Sequence, residues 1–129
     1  MYLLDTNVFL KLWLTPKQLR RGIVEKLSDD ANVIYVSAIS AAEIVIKHAV
    51  GKLRLPADPT LFVQRQISAG KFLPLAISVD HALGVQHLPL HHSDPFDRLL
   101  IAQAQVEALT LVTTDRRLAR YDVAVLLAS

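Results

Sequence analysis

The sequence contains no cysteine in its 129 residues, which excludes disulfides, thiolate metal sites and cysteine nucleophiles. It also lacks a long apolar run, because the uncharged stretch Val33–Ala42 is far shorter than the roughly 18–20 residues that cross a bilayer. No basic leader precedes Asp5, so we expect no secretory signal and a cytoplasmic protein. The net charge is only +2, which permits an anionic partner without requiring one.

Apolar residues are what the chain has in excess. Hydrophobic residues make up 52% of it and charged residues 20%, which is enough for a buried core within one domain of residues 1–129. A small domain this hydrophobic is predicted to cover part of its surface with a second copy or another protein. We expect Phe9, Trp13 and Leu19, on the first two predicted helices, to be exposed for that contact.

Short apolar runs alternate with segments of helical periodicity along the whole chain. The predicted strands are Tyr2–Asp5, Val33–Val36, Phe72–Ala76, Leu109–Thr113 and Val123–Leu127. The predicted helices are Asn7–Leu14, Lys17–Leu27, Ser40–Val50, Leu61–Ser68, Val79–Leu88, Pro95–Ala108 and Asp115–Tyr121. This alternation is typical of an α/β fold with three α/β/α layers around a central parallel sheet of four or five strands.

Four acids fall where predicted strands end or predicted helices begin. Asp5 ends the first strand, and Glu43 lies in the first turn of the helix after the second strand. Asp97 lies near the start of the helix Pro95–Ala108 and on its apolar face, and Asp115 follows the fourth strand. In a parallel sheet these positions share one edge, and ligands usually bind at that edge.

Each acid also has a structural explanation when it is considered alone. Asp5 and Asp115 fit helix N-caps, and Asp97 fits the favourable end of a helix dipole. Glu43 fits a capping box with Ser40, and it is also spaced for an ion pair with the lysine four residues later. For Glu43 the structural explanation is the better one when the residue is taken alone.

Taken together, the acids predict a metal site. Carboxylates gathered within several ångströms repel one another, and one or more would hold a proton at neutral pH. A divalent cation removes that cost, and oxygen ligands without cysteine suit Mg²⁺ or Mn²⁺ better than zinc. Such a site typically binds phosphate and activates water.

Four segments carry the acids in order along the chain, and the third contains the specific run Asp-Pro-Phe-Asp-Arg. They are Leu3–Asn7, Ser37–Ile44, Asp94–Ala104 and Leu111–Asp115. Together they resemble the PIN-domain ribonucleases, and within them the toxins of VapC-type toxin–antitoxin pairs, over essentially the whole chain. The sequence departs from this branch at Asn7, where histidine is frequent, and before Glu43, where Leu-Trp is frequent. Neither departure changes an acid.

The resemblance implies an endoribonuclease that uses Mg²⁺ or Mn²⁺ to hydrolyse RNA by metal-activated water. It implies an antitoxin partner and, with the apolar excess, a homodimer. The implied catalytic metal ligands are Asp5, Glu43, Asp97 and Asp115. Further assignments are Asn7 and Thr113 as groups that orient the acids, Asp94 as N-cap or auxiliary ligand, and Arg116, Arg117 and His92 as RNA contacts. For His91-His92 we favour a solvated polar loop, and solvated helix faces explain the arginines equally well.

Two other functions remain open from the sequence. A phosphatase of the haloacid dehalogenase type also uses a strand-end aspartate and Mg²⁺, but it needs a second acid two residues later, where this chain has Asn7. A non-catalytic PIN-like domain that binds RNA or protein is the other, although such a domain is expected to have lost acids that this chain retains. Metal-dependent RNA cleavage separates these possibilities.

Overall fold

The computed structural model describes residues 1–129 and contains one parallel β-sheet of five strands. The strands are β1 Tyr2–Leu4, β2 Ile34–Ser37, β3 Leu73–Leu75, β4 Thr110–Thr113 and β5 Val125–Leu127. Their order across the sheet is β3-β2-β1-β4-β5, and every neighbouring pair is parallel. The predicted parallel sheet is therefore confirmed, with five strands.

Six α-helices connect the strands. They are α1 Thr6–Leu14, α2 Arg21–Ser28, α3 Ala38–Ala49, α4 Pro59–Ala69, α5 Val79–Gly84 and α6 Pro95–Glu107. Three short 3₁₀ turns lie at Pro16–Gln18, Val85–His87 and Arg116–Arg120. None of the helices has the length and apolar character that crossing a bilayer requires.

Alternating residues of the strands pack into two separate cores, one on each face of the sheet. Leu4 and Val112 are paired neighbours on β1 and β4, and they join the core that α1, α2 and α4 cover. Leu3 and Leu111 are also paired, and they join the core that α6 covers. Because successive strand side chains point to opposite faces, two fully buried strands need helices on both sides. This confirms the three-layer α/β/α arrangement.

The order of the strands places a topological switch point beside β1. The chain leaves β1 towards β2 on one side, and it later returns from β3 to β4 on the other side. The backbone N–H of Asp5 donates to the carbonyl of Val112 at 3.0 Å, so the ends of β1 and β4 stay together. Ligands of open parallel sheets bind at such a crevice beyond the carboxyl ends of the strands.

The predicted helix Lys17–Leu27 is wrong at its N-terminal end. The backbone is extended at Leu19 and Arg20, and α2 begins only at Arg21. The cause is a tertiary contact, because the Arg20 backbone N–H donates to the carbonyl of Ala128 at 2.8 Å. The contact draws this segment to the end of β5 instead of continuing the helix.

The expectation that Phe9, Trp13 and Leu19 form an exposed apolar surface is also wrong. Phe9 and Leu19 are buried in the core beneath α1 and α2, and Trp13 is half-buried against Phe72. Phe9 packs edge-on against Phe62 and Phe72. Helical spacing identified an apolar face correctly, but the face turned inward because α4 and the segment before β3 supply aromatic partners for it.

Ala108 terminates α6 in a left-handed conformation, with φ 54° and ψ 45°. This conformation costs about 1–2 kcal/mol for a residue with a Cβ and is the usual place for glycine. We expect Ala108→Gly to stabilise the protein by about 0.5–1 kcal/mol, because the strain relieved exceeds the added chain entropy. Thermal unfolding measures this, with Ala69→Gly as the matched control. Ala69 is exposed and right-handed at the end of α4, so its replacement is expected to destabilise.

Candidate functional site

Asp5 lies at the switch point and is 3% exposed. It caps α1, because its Oδ1 accepts a hydrogen bond from the backbone N–H of Val8 at 2.7 Å. Its Oδ2 accepts a hydrogen bond from the hydroxyl of Thr113 at the end of β4. Asp5 is both buried and a helix N-cap, because β1 ends just before it and α1 begins just after it.

The pKa of Asp5 is raised from 3.8 to about 7. Burial is the largest cause, because it disfavours the charged form of a carboxyl group. The negative charges of Asp97 and Glu43 add to the rise, and the hydrogen bonds from Thr113 and Val8 oppose it. Acids on α3 and α6 are therefore close enough to act on the acid that follows β1, which is consistent with the predicted shared sheet edge.

Glu43 lies on α3 and is 4% exposed. The prediction of a capping box with Ser40 is wrong: Ser37, the last residue of β2, is the N-cap, and its hydroxyl accepts from the N–H of Ile39 at 2.9 Å. Glu43 is therefore in the second turn. Ser40 is buried and accepts a hydrogen bond from the hydroxyl of Thr6 at 2.9 Å, which joins α3 to α1.

The two carboxylate oxygens of Glu43 have different surroundings. Oε2 forms an ion pair with the ammonium group of Lys47, one turn later on α3. Oε1 is buried and has no hydrogen-bond partner. A buried carboxylate oxygen without a partner is costly, and native proteins rarely keep one without a ligand or a functional role. Glu43 thus has one oxygen free to bind a cation.

Asp97 is held at the start of α6 by the local sequence. Asp94 is the N-cap, with Oδ1 accepting from the N–H groups of Phe96 at 2.9 Å and Asp97 at 3.1 Å, and Pro95 occupies the first helical position. Burial raises the pKa of Asp97, and the charges of Asp94 and Glu43 add to the rise. The bond from His92 opposes it. Asp94 acts as a cap and also contributes charge to the site.

His92 is not the solvated loop residue that we favoured from the sequence. Its side chain is 7% exposed, and its Nε2 lies 2.7 Å from Oδ2 of Asp97. The neighbouring His91 points away and packs against the ring of Tyr121 at 5.0 Å between centroids. Adjacent side chains of an extended loop diverge, so only one histidine reaches the acids.

Arg98 holds the loop that carries His92. Its guanidinium group donates to the backbone carbonyls of Leu88, Pro89 and His92 at 3.2, 3.0 and 3.3 Å. Sequence reasoning gave Arg98 no role beyond its place in the Asp-Pro-Phe-Asp-Arg run. The loop contains no regular structure, so its position depends on a tertiary contact that periodicity does not reveal.

Asp115 pairs with an arginine and is not part of the group formed by His92, Asp94 and Asp97. It caps the 3₁₀ turn that follows β4, and its two oxygens pair with Arg117 at 3.0 and 2.8 Å. Hydrogen bonds from Arg117 lower the pKa of Asp115. Its backbone N–H donates to Oγ1 of Thr113 at 3.0 Å, which links it to Asp5 through one hydroxyl group.

Of the remaining predicted residues, only Thr113 bonds to one of the buried acids. Asn7 is exposed, and its side chain bonds none of the acids, whereas Thr113 donates directly to Asp5. Arg116 is exposed at the edge of the site, and Arg117 is engaged by Asp115. Thr6 is a residue that the sequence analysis missed, since its buried hydroxyl positions the helix that carries Glu43.

The donor set fits a hard divalent cation. The ligand atoms of His92, Asp94 and Asp97 lie within 4.8 Å of one another. Asp5 and Glu43 lie outside this group of three: Asp5 accepts from Thr113 and Glu43 pairs with Lys47. The charge of Glu43 still raises the pKa of Asp97, and the charge of Asp97 raises that of Asp5. The unpartnered Oε1 of Glu43 and the raised pKa values of Asp5 and Asp97 are features that a bound cation would relieve.

Three solved structures share this fold. A chain of VapBC2 from Rickettsia felis, bound to a promoter DNA fragment, has a TM-score of 0.76 and 19% identity, covering 99% of this chain and 98% of its own. A chain of DNA-bound VapBC from Salmonella typhimurium has a TM-score of 0.71 and 18% identity, covering 97% and 96%. A chain of FitAcB from Neisseria gonorrhoeae has a TM-score of 0.64 and 26% identity, covering 98% and 96%.

A comparison with curated proteins gives no match. The profile of the PIN domain family, in contrast, matches residues 2–124. The match extends from β1 to the residue before β5, so it includes all four acid-bearing segments. This chain belongs to the PIN domain family.

Proposed function

We propose that residues 1–129 form a single PIN domain that acts as a Mg²⁺- or Mn²⁺-dependent endoribonuclease. The observation that carries the proposal is the pair of buried acids Asp5 and Glu43 beside Asp97 at this sheet edge, with Oε1 of Glu43 lacking any hydrogen-bond partner. The charges of Asp97 and Glu43, together with burial, raise the pKa of Asp5 to about 7. Family membership supports this nuclease over the haloacid dehalogenase alternative.

In this proposal Asp5, Glu43 and Asp97 hold the cation, and Asp115 completes the set after exchanging its contact with Arg117. A divalent cation at such a site lowers the pKa of water and offsets negative charge on a phosphodiester. The hydroxyl of Thr113 and the N–H of Val8 fix the carboxylate of Asp5, and the imidazole of His92 fixes that of Asp97. Hydrogen bonds of this kind orient metal ligands.

RNA approaches from the open edge of the sheet in this proposal. Arg116 is exposed there as the first residue of the 3₁₀ turn after β4, with no acidic side chain in ion-pair contact. An exposed guanidinium group attracts a phosphate backbone without reading its sequence. Arg117 becomes available to the RNA when Asp115 binds the cation. The imidazole of His92 is nearly covered, so its proposed role is to orient Asp97.

Cleavage of an RNA pool by the purified protein tests the nuclease proposal. We expect cleavage with Mn²⁺ or Mg²⁺ and none with EDTA. Asp97→Asn is expected to lower the rate by about a hundredfold or more, because it removes a charged metal ligand. Asp80→Asn is the matched control, since Asp80 is an exposed acid on α5. Equal activity of both variants would contradict the site, and a well-folded wild type without any cleavage would favour the non-catalytic PIN-like domain.

We further propose that the protein is the toxin of a type II toxin–antitoxin pair, that it forms a homodimer and that an antitoxin inhibits it. The structurally similar VapBC and FitAB complexes support an antitoxin partner. Exposed apolar side chains on α3, α5 and α6 support a further contact surface, in place of the residues expected from the sequence. They are Val45, Ile46, Val79, Leu83 and Val106.

Light scattering and co-expression test these partners. We expect a dimer at micromolar concentration, growth arrest when the protein is expressed alone, and rescue by the neighbouring gene. The Asp97→Asn variant is expected to form the same dimer without arresting growth, because Asp97 is not one of these exposed apolar side chains. A monomer that is harmless when expressed alone would overturn the toxin proposal and leave the nuclease proposal standing.

A further inference from the structure

Lys47 is placed differently from an ordinary surface lysine. It pairs with Oε2 of Glu43 in the favourable i,i+4 order, with the acid on the N-terminal side. The partner is buried, with its side chain 5% exposed, whereas the side chain of Lys47 is 40% exposed. The lysine therefore reaches from solvent into the acid cluster with its charged end.

The acids around Lys47 come from two helices. The hydrogen bond and charge of Glu43 on α3 raise the pKa of Lys47, and the charges of Asp94 and Asp97 at the start of α6 add to this. Lys47 is the cation in ion-pair contact with Glu43, while Asp97 has the imidazole of His92 and Asp115 has Arg117. A permanent positive charge thus sits against the carboxylate whose other oxygen has no partner.

Two cations cannot share this carboxylate without strong repulsion. A divalent ion at Oε1 of Glu43 would lie within several ångströms of the ammonium group on Oε2, where like charges repel strongly in a partly buried site. The half-exposed stem of Lys47 allows the ammonium group to move into solvent. Metal and lysine therefore compete for one carboxylate.

We infer that Lys47 is an internal counter-cation that a divalent metal displaces from Glu43, so that this lysine weakens and thereby sets the metal affinity of the site. The inference rests on the proposed function. Its consequence is a pair of opposite effects, because the same ammonium group stabilises the buried carboxylate of the protein in EDTA and opposes metal uptake. If Lys47 had a purely structural role, its removal would not strengthen metal binding.

Calorimetric titration with Mn²⁺ and thermal unfolding of Lys47→Met test the inference. We expect the dissociation constant for Mn²⁺ to fall about tenfold, since a repelling charge is removed. In EDTA the melting temperature is expected to fall by about 5 °C or more, because Glu43 loses its partner. Saturating Mn²⁺ is expected to close most of this gap. Lys47→Gln, which keeps a hydrogen-bond donor, and Lys47→Arg, which keeps the charge, separate charge from packing.

Lys52→Met is the matched control, because Lys52 is exposed just beyond α3 and carries the same charge without an ion-pair partner. It is expected to leave both readouts unchanged. If the wild type binds Mn²⁺ and both Lys47→Met and Lys47→Gln bind it equally well or more weakly, this inference is overturned. The metal-site proposal then still stands. A wild-type protein that binds no Mn²⁺ would overturn the metal-site proposal and this inference with it.

Discussion

Replacing Asp5 by asparagine is expected to abolish RNA cleavage and at the same time to make the protein more stable. The loss of activity, by about a hundredfold or more, follows from removing the central charged ligand of the proposed metal site. The gain in stability follows from the raised pKa, since burial and two neighbouring acids disfavour the ionised carboxyl group.

The size of the gain has an upper bound. A carboxyl group whose pKa rises from 3.8 to about 7 destabilises the folded state at neutral pH by at most about 4 kcal/mol. We expect Asp5→Asn to recover about 1–3 kcal/mol of this in EDTA, because the amide still accepts from the N–H of Val8 but must reorganise its contact with Thr113. Denaturant unfolding at pH 7.5 measures the change.

Asp58→Asn is the matched control for this substitution. Asp58 is also a helix N-cap, with Oδ2 accepting from the N–H of Leu61 at 3.3 Å, but it is exposed at the start of α4. Because asparagine caps helices about as well as aspartate, neither stability nor activity is expected to change. Full cleavage activity of Asp5→Asn would overturn the metal site, and a marked loss of stability would overturn the electrostatic explanation of its pKa.

The stability of the protein in EDTA is expected to fall as the pH rises from about 4 to 7. In this window the folded protein keeps the proton of Asp5, whose pKa is about 7, while the unfolded chain has released it. The folded state therefore binds more protons, and its stability decreases with rising pH. The raised pKa of Asp97 acts in the same direction. Melting temperatures in EDTA at pH 5 and pH 7.5 measure the fall, and Asp5→Asn is expected to reduce it.

Mn²⁺ is expected to reverse this fall at pH 7.5 and to have little effect at pH 5. Metal ligands must lose their protons before they bind, and an ion that binds only the folded state stabilises it by mass action. We expect the melting temperature to rise by several degrees with millimolar Mn²⁺ at pH 7.5. Ca²⁺ and EDTA titrations give the selectivity and reversibility. A melting temperature that does not change with Mn²⁺ at pH 7.5 would argue against cation binding to the RNA-free protein.

Local patterns in the sequence were sufficient for the strands, most of the helices and their layers. The apolar pair Leu3 and Leu4 predicted a strand buried on both faces, and Asp94-Pro95 predicted the start of α6. These features depend on neighbours in the chain, since a strand has period two and a cap bonds to an N–H two or three residues later. The order of strands and helices then placed the acids at one sheet edge before any contact was known.

Features that depend on residues distant in the chain could not be predicted from local patterns. Ser37 and Ser40 both fit an N-cap, and the choice followed from the pairing of Ser37 with Leu75, which extends β2 by one residue. Phe9 and Leu19 fit an exposed face or a buried one, and the choice followed from the aromatic residues that cover them. A side chain is buried only when another surface packs against it, so the sequence of one segment does not specify its burial.

The candidate site shows the same division between sequence and tertiary structure. The sequence by itself determined that the four acids lie near where strands end or helices begin, because residue types and their places in local elements depend on neighbours in the chain. Only the tertiary structure decided what each acid contacts: Thr113 for Asp5, Lys47 for Glu43, His92 for Asp97 and Arg117 for Asp115. For Asp5, Asp97 and Asp115 these contacts, together with burial, shift the pKa of the carboxyl group, since hydrogen bonds, burial and neighbouring charge are all properties of the surroundings in the fold.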